Sequence, residues 1–248
     1  MPERSTSASE ASTRDSRRRV SSGKRTTAYA VPRRPSPLGG RRPTKDDIDS
    51  LRRDPRGGVD DVLPADGSSP RLLIVGINPG LWTAAVNAPF AHPGNRFWPS
   101  LDRAGITDGL VDVSRGMSPE QADMLVRRGV AMTNLVARPT ARADELGREE
   151  LRTGGERLVR RVAAMRPRTV AIVGITAFRT AFRRPHARLG LQGTDGIAGW
   201  PPDVALWVVP QPSGLNAHET VDSLAAKWRE VWGMTRTDSA RRSQRTGA

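Results

Sequence analysis

A single three-layer α/β/α domain with a central, mostly parallel four-stranded sheet is the fold predicted for this chain, and three observations carry the prediction. Short, nearly continuous apolar runs recur between residues 69 and 234. Amphipathic segments of helical period separate them. The runs end in Gly-, Pro- and Asn-rich punctuation rather than in the two-residue turns of hairpins. Strands buried on both faces read as continuous apolar runs, and alternation with helices implies parallel strands joined by right-handed crossovers.

Each element follows in order. Residues 1–68 are rich in Ser, Arg, Pro, Gly and Asp and lack apolar periodicity, so they are expected to be a disordered basic tail with one helical turn near Lys45–Arg53. Arg71-Leu72-Leu73-Ile74-Val75-Gly76-Ile77 is the first strand, closed by Asn78-Pro79-Gly80. Gly129 to Asn134 is a weaker strand. Thr169 to Gly174 and Val204 to Pro210 complete the four. Leu151, Leu158, Val159, Val162 and Met165 recur at helical spacing, and Pro167 closes that helix. Val221, Leu224, Ala225, Trp228, Val231 and Trp232 form one face of a last helix, expected to pack on the sheet. Residues 235–248 are expected to be a short basic tail.

Composition narrows the function. The chain has 248 residues, a formal net charge of +14 and 4% aromatics, which fits a globular core with basic extensions. Such a charge suits a polyanionic partner. There is no cysteine, so disulfides and thiolate metal sites are excluded, and His92, His186 and His218 lack ligand spacing. No metal and no cofactor are expected. No apolar run approaches a membrane span, and the Ser- and Arg-rich start lacks the apolar core of an export signal, so no membrane association and a cytoplasmic location are expected. Of the 40 basic residues only Lys24, Lys45 and Lys227 are lysines.

In open parallel sheets ligands bind beyond the carboxyl ends of the strands. Two strands end in similar loops, Gly76-Ile77-Asn78-Pro79-Gly80 and Pro210-Gln211-Pro212-Ser213-Gly214-Leu215, which the topology brings to the same end. Neither contains G-K-[ST], and Pro79 removes a donor that a dinucleotide fold would use. Pro79 also keeps Asn78 extended, while Gly76 and Gly80 let a ligand approach the backbone. Gly76 to Trp98 contains no Asp, Glu, Lys or Cys.

The motifs "GINPGL", "PFAHPGNRFW", "NLVARPT" and "PQPSGL", in this order, resemble those of the mismatch-specific uracil/thymine DNA glycosylases, within the uracil-DNA glycosylase superfamily. The resemblance spans about Arg71 to Trp232 and leaves both tails uncovered. It implies a monomeric enzyme without cofactor, acting on double-stranded DNA that carries a mismatched or damaged pyrimidine. Uracil, and on the same reading thymine or etheno-cytosine, would be flipped out and its N-glycosidic bond hydrolysed. Asn78 would hold the attacking water, and Phe90 would stack on the base. Backbone N–H groups near Ile77 and Phe90 would meet the pyrimidine oxygens, with Pro79, Gly80 and Thr83 completing the base pocket. Leu215 would fill the gap in the stack, beside Ser213, Gly214 and Asn216 on a DNA-binding loop. Asn134 and Arg138 would line the DNA channel.

Physical chemistry supports this assignment. The base leaves as an anion from an oxocarbenium-like state, so an amide that orients water suffices, and donors aimed at the departing base supply most of the stabilisation. Strand cleavage would need an amine nucleophile, and Lys227 on the last helix is the only lysine in the folded region. Two departures from the family pattern stand out: Gln211 where bacterial members commonly carry Asn, and Asn216-Ala217 where they often carry Ser-Arg. A non-catalytic protein marking mismatched DNA is the alternative reading.

Overall fold

The computed structural model describes residues 29–55, 57–214 and 216–245, with side chains described through Thr235. Its centre is a five-stranded sheet of order β2-β1-β3-β5-β4. Strands β1 (Leu72–Gly76), β2 (Val130–Asn134), β3 (Thr169–Val173) and β5 (Ala205–Val209) run parallel and are the four expected strands. The fifth, β4 (Gly190–Gln192), corrects the expectation of four. It pairs antiparallel with β5 at the sheet edge and is too short and too exposed to leave an apolar run in the sequence. Its strand state comes from its neighbour.

Alternating side chains of each inner strand feed two separate cores. Leu72, Ile74, Met132, Ala171 and Val173 join one; Leu73, Val75, Ala131, Val170 and Ile172 join the other. The first is covered by α3 (Phe97–Arg103), α4 (Pro119–Arg127) and α7 (Val221–Arg245). The second is covered by α5 (Arg148–Met165) and α6 (Ile175–Ala181). These are the three layers. The apolar face expected on the last helix is buried at Leu224, Ala225, Trp228 and Val231. That helix runs on to Arg245, so the boundary expected at residue 235 does not exist in the backbone.

Helix α5 lies very close to its neighbours because of two adjacent glycines. A Cβ on Gly154 would stand 2.5 Å from the Leu135 carbonyl oxygen, and one on Gly155 would stand 2.9 Å from that of Ala181. Alanine is normally the better helix former by ~1 kcal/mol, but here the backbone it would strike cannot yield cheaply. Gly154→Ala is therefore expected to destabilise the domain by about 1–3 kcal/mol, the usual range for overpacking. A thermal melt reads this as a lower midpoint; an unchanged or higher one would refute the close packing.

The disorder expected through residue 68 does not hold from Tyr29 onward; residues 1–28 lie outside the described part. Ala30 pairs with Pro64 and Val62 with Met132, and both Ala30 and Val62 are buried in the first core. The intervening excursion, residues 34–60, is clasped at its base. The Arg34 backbone N–H and guanidinium both donate to the Asp60 carboxylate, the guanidinium at 2.7 and 2.9 Å. Arg33 donates to the carbonyls of Asp60 and Asn87. The buried Asn87 carboxamide accepts from the Asp60 N–H and donates to the Arg34 carbonyl. Burial works to raise the Asp60 pKa, but hydrogen bonds from Arg34 and Asn87 outweigh it and hold the group at about 2. A carboxyl lowered in the folded state stabilises it above its ordinary pKa, and that contribution is lost only as pH falls toward 2.

The excursion carries α1 (Lys45–Arg53), the helical turn foreseen there. It is a nine-residue helix started by a Thr44–Asp47 capping box, and none of its residues is fully buried. Composition hid this ordering because the segment is held by single polar contacts to distant residues rather than by a periodic apolar face. Among the described residues no helix is long and apolar enough to cross a membrane.

Candidate active site

The register of the parallel strands aligns their carboxyl ends: Gly76 pairs with Asn134, and Val173 with Val209. Past the sheet, the chain after β1 continues alongside the chain after β2. Leu135 and Val136 N–H donate to the Gly76 and Ile77 carbonyls, and Thr140 N–H donates to that of Pro79. The two Pro/Gly loops meet at this edge around a cavity of about 630 Å³. Its lining includes Ile77, Asn78, Gly80, Thr83, Phe90, Asn134, Ser213 and Gly214, so eight of the sequence-predicted positions are brought together. Among the described residues no Asp or Glu side chain lines it.

Asn78 is oriented by three acceptors. Its Nδ2 donates to Thr140 Oγ1 at 2.7 Å, the Arg138 carbonyl at 3.0 Å and the Pro79 carbonyl at 3.2 Å. The buried Thr140 hydroxyl spends its own proton on the Arg142 carbonyl at 2.7 Å, so toward Asn78 it can only accept. This fixes the carboxamide with Nδ2 toward the protein. Among the described residues no donor reaches Oδ1, which is left as an acceptor at the cavity.

Phe90 adopts φ 54°, a left-handed conformation rare for a bulky residue. Its ring stacks on the fully buried Phe97, with centroids 3.8 Å apart and planes 16° from parallel. Phe97 in turn meets Trp98 and Trp228 edge-on. One face of Phe90 is thus backed by core, and the ring also lines the cavity. Phe97 and Trp98 are core residues at the start of α3. Thr83 is buried and accepts a weak hydrogen bond from the Ala91 N–H at 3.4 Å. His92 accepts from the Gly94 N–H and meets Trp82 edge-on, contacts that order this loop.

Two residues were expected to line the DNA channel. Asn134 lines the cavity, in register with Gly76. A Cβ on Gly76 would overlap the Asn134 carboxamide, so glycine leaves that side chain its place beside Phe90. The Arg138 guanidinium is held by Glu150 in a bidentate pair, both contacts at 2.9 Å, and donates to the Glu145 carbonyl. Its backbone oxygen accepts from Asn78 Nδ2.

The second loop is tied to the first by Arg96, whose importance the sequence did not reveal. Its backbone N–H donates to the Pro212 carbonyl at 2.9 Å. Its guanidinium donates to the carbonyls of Ser213, Asn216 and Gly214 at 3.3, 2.9 and 3.4 Å. Gly214 packs so near Gly94 that a Cβ would stand 2.8 Å from its carbonyl oxygen. Asn216 works inside its own loop, donating to the Gln211 carbonyl and accepting from the His218 N–H. Leu215, the expected wedge, lies outside the described residues. Gln211 is exposed at the cavity rim. Among the described residues no cluster of His, Asp and Glu is placed to hold a metal ion.

Fold and site together define an α/β/α domain with a cavity at the carboxyl edge of a parallel sheet, furnished with an oriented amide and a backed aromatic ring. The family model of the uracil DNA glycosylase superfamily matches residues 64–232. The chain belongs to that superfamily and is a DNA glycosylase. Among solved structures it is similar to the solution NMR structure of a candidate uracil DNA glycosylase from Methanosarcina acetivorans. That match has 16% identity and a TM-score of 0.46, covering 71% of this chain and 97% of the other.

Proposed function

We propose that the protein is a monofunctional, monomeric glycosylase that removes uracil from G·U mismatches in duplex DNA and accepts thymine or etheno-cytosine to a lesser degree. The observation that carries the reading is the locked carboxamide of Asn78. With Nδ2 committed to three acceptors, Oδ1 accepts a hydrogen bond from a water and points its lone pair at the anomeric carbon of an extruded nucleotide. The bond from C1′ to the base nitrogen breaks first, and its electron pair leaves with the base. The water then adds to C1′ and its proton passes to solvent, giving free base and an abasic sugar.

The base would stack on Phe90, with the Asn134 carboxamide reading its edge. Backbone N–H groups of Ile77 and Phe90, neither engaged in a loop or turn hydrogen bond among the described residues, suit the charge developing on the base oxygens. Thr83 stands where a substituent on the ring would be admitted or refused. Leu215 is assigned as the wedge from its loop position alone. Lys227 is occupied by Glu219 at 2.7 and 2.8 Å on α7, which favours a hydrolytic mechanism over an amine-mediated lyase.

Base-on-aromatic stacking is worth ~1–3 kcal/mol, so Phe90→Ala is expected to lower single-turnover excision by roughly ten- to a hundredfold. Phe90→Tyr, which keeps the ring, should lose far less, and equal losses would argue against stacking. The proposed activity itself is tested with a duplex containing one G·U pair. Alkali-labile abasic product is expected, with no adduct trapped by borohydride. Tight binding without product would favour a non-catalytic role in marking mismatches, and a trapped adduct would overturn the hydrolytic mechanism.

A further inference from the structure

The cavity is not closed by the superfamily segment alone. Its outer wall includes Ile48 and Arg52 of α1, a helix that precedes the matched residues 64–232. We propose that the clasped excursion, residues 34–60, is a substrate-binding part of this enzyme, and that the Arg52 guanidinium binds the backbone phosphate of the extruded nucleotide. The inference rests on the glycosylase reading and adds to it a residue and a segment.

Three observations support it. A cavity of about 630 Å³ has the size of sites that hold drug-sized ligands, so it takes the base together with its sugar and phosphate. An extruded nucleotide carries one formal negative charge into that space. Although the chain has 40 Lys and Arg residues, Arg52 is the sole one among the described lining residues.

The other arginines that order this segment are spoken for. Arg33 is turned to the Asp60 and Asn87 carbonyls, Arg34 to the Asp60 carboxylate, and Arg41 to Asp47 at 2.6 and 2.8 Å. Among the described residues Arg52 pairs with Asp49 alone, one turn back on its own helix, at 2.9 Å, and its side chain is 60% exposed. Exposed pairs of this kind contribute little, so the guanidinium exchanges this carboxylate for a phosphate at small cost. The clasp at Asp60 and Asn87 anchors the two ends of the excursion that carries this helix, none of whose residues is fully buried.

The test uses the full-length protein with Arg52→Gln and Arg52→Lys, and with Arg53→Gln as the control that removes the same charge one position along. Binding is followed by anisotropy on a G·U duplex and on the matched G·C duplex, from about 50 to 200 mM salt, alongside excision of the G·U substrate. Arg52→Gln is expected to weaken G·U binding about tenfold at the low-salt end and to reduce its salt slope by about 1, the loss of one phosphate contact. Matched-duplex binding should change less than twofold, because no nucleotide enters the cavity there. Arg53→Gln should change both less than twofold, and Arg52→Lys should keep most of the slope. Equal losses on the two duplexes, or equal effects of Arg52→Gln and Arg53→Gln, would overturn the proposal. If the wild-type protein forms no abasic product, it is the glycosylase reading that falls. If it does, and Arg52→Gln binds G·U DNA like wild type, only the role of Arg52 falls.

Discussion

Replacing Asn78 by alanine is expected to cut excision from a G·U duplex by about 10²–10⁴-fold while leaving duplex affinity within a few-fold of wild type. The range is that of losing a positioned group that prepares the attacking water. Affinity is spared because the carboxamide faces the protein through Nδ2 and the water through Oδ1, so it carries little of the contact with DNA. Asn78→Asp is the sharper experiment. A carboxylate is the better base, yet its second oxygen would face the Arg138 and Pro79 carbonyls, where Nδ2 now donates. Thr140 Oγ1 could satisfy that oxygen only by giving up its bond to the Arg142 carbonyl. The aspartate is therefore expected to be displaced and slower than wild type. Single-turnover rates decide: an aspartate variant faster than wild type would mean that water activation, rather than departure of the base, limits the reaction.

Arg96→Ala is expected to lower excision from duplex DNA by about 10²-fold, the scale on which a misplacement of 1 Å at a site is felt. Arg96 contacts no proposed base position. It gathers the carbonyls of Ser213, Gly214 and Asn216, which flank the position assigned to the wedge. Those carbonyls lie near solvent and can accept from water, so the melting temperature should move little. A positioning role also predicts a substrate effect that simple destabilisation does not. Extrusion is cheapest from an unpaired strand, so a single-stranded uracil substrate should lose much less than the duplex. Lysine should rescue poorly, because an ammonium on a flexible stem does not reproduce the fork that spans three carbonyls. Equal losses on single and double strands would refute the assignment.

The superfamily membership and this geometry agree on a cavity in which the described lining carries amides, an aromatic ring and one arginine. Among the described residues no carboxylate lines the cavity, and the residue proposed to hold water is an amide. The net charge of +14 suits a polyanionic partner.

How much of this was legible beforehand depends on the range of the interactions involved. Four parallel strands, the amphipathic faces of α5 and α7, and the convergence of the two Pro/Gly loops follow from patterns spaced a few residues apart. Such patterns are readable because burial on one or both faces dictates residue type locally. Asn78, Phe90 and Gly80, which line the cavity, stood out because each lies in a short motif that resembles one of the family's. Strand β4 was not, since an edge strand of three residues is defined by its partner. The ordering of residues 29–68 was not, since Asp60, Arg34 and Asn87 are joined across 26 and 27 residues by hydrogen bonds that composition does not register. The clamp by Arg96 spans 117 to 120 residues, and Arg52 reaches the cavity only because the clasp folds its helix back. The sequence by itself determined which loops converge and that one of them carries an amide at Asn78, because those are local demands on residue type. Only the tertiary structure decided which way that amide faces, what holds the second loop, and that a basic, loop-like N-terminal segment walls the cavity, because each depends on contacts between residues far apart in the chain.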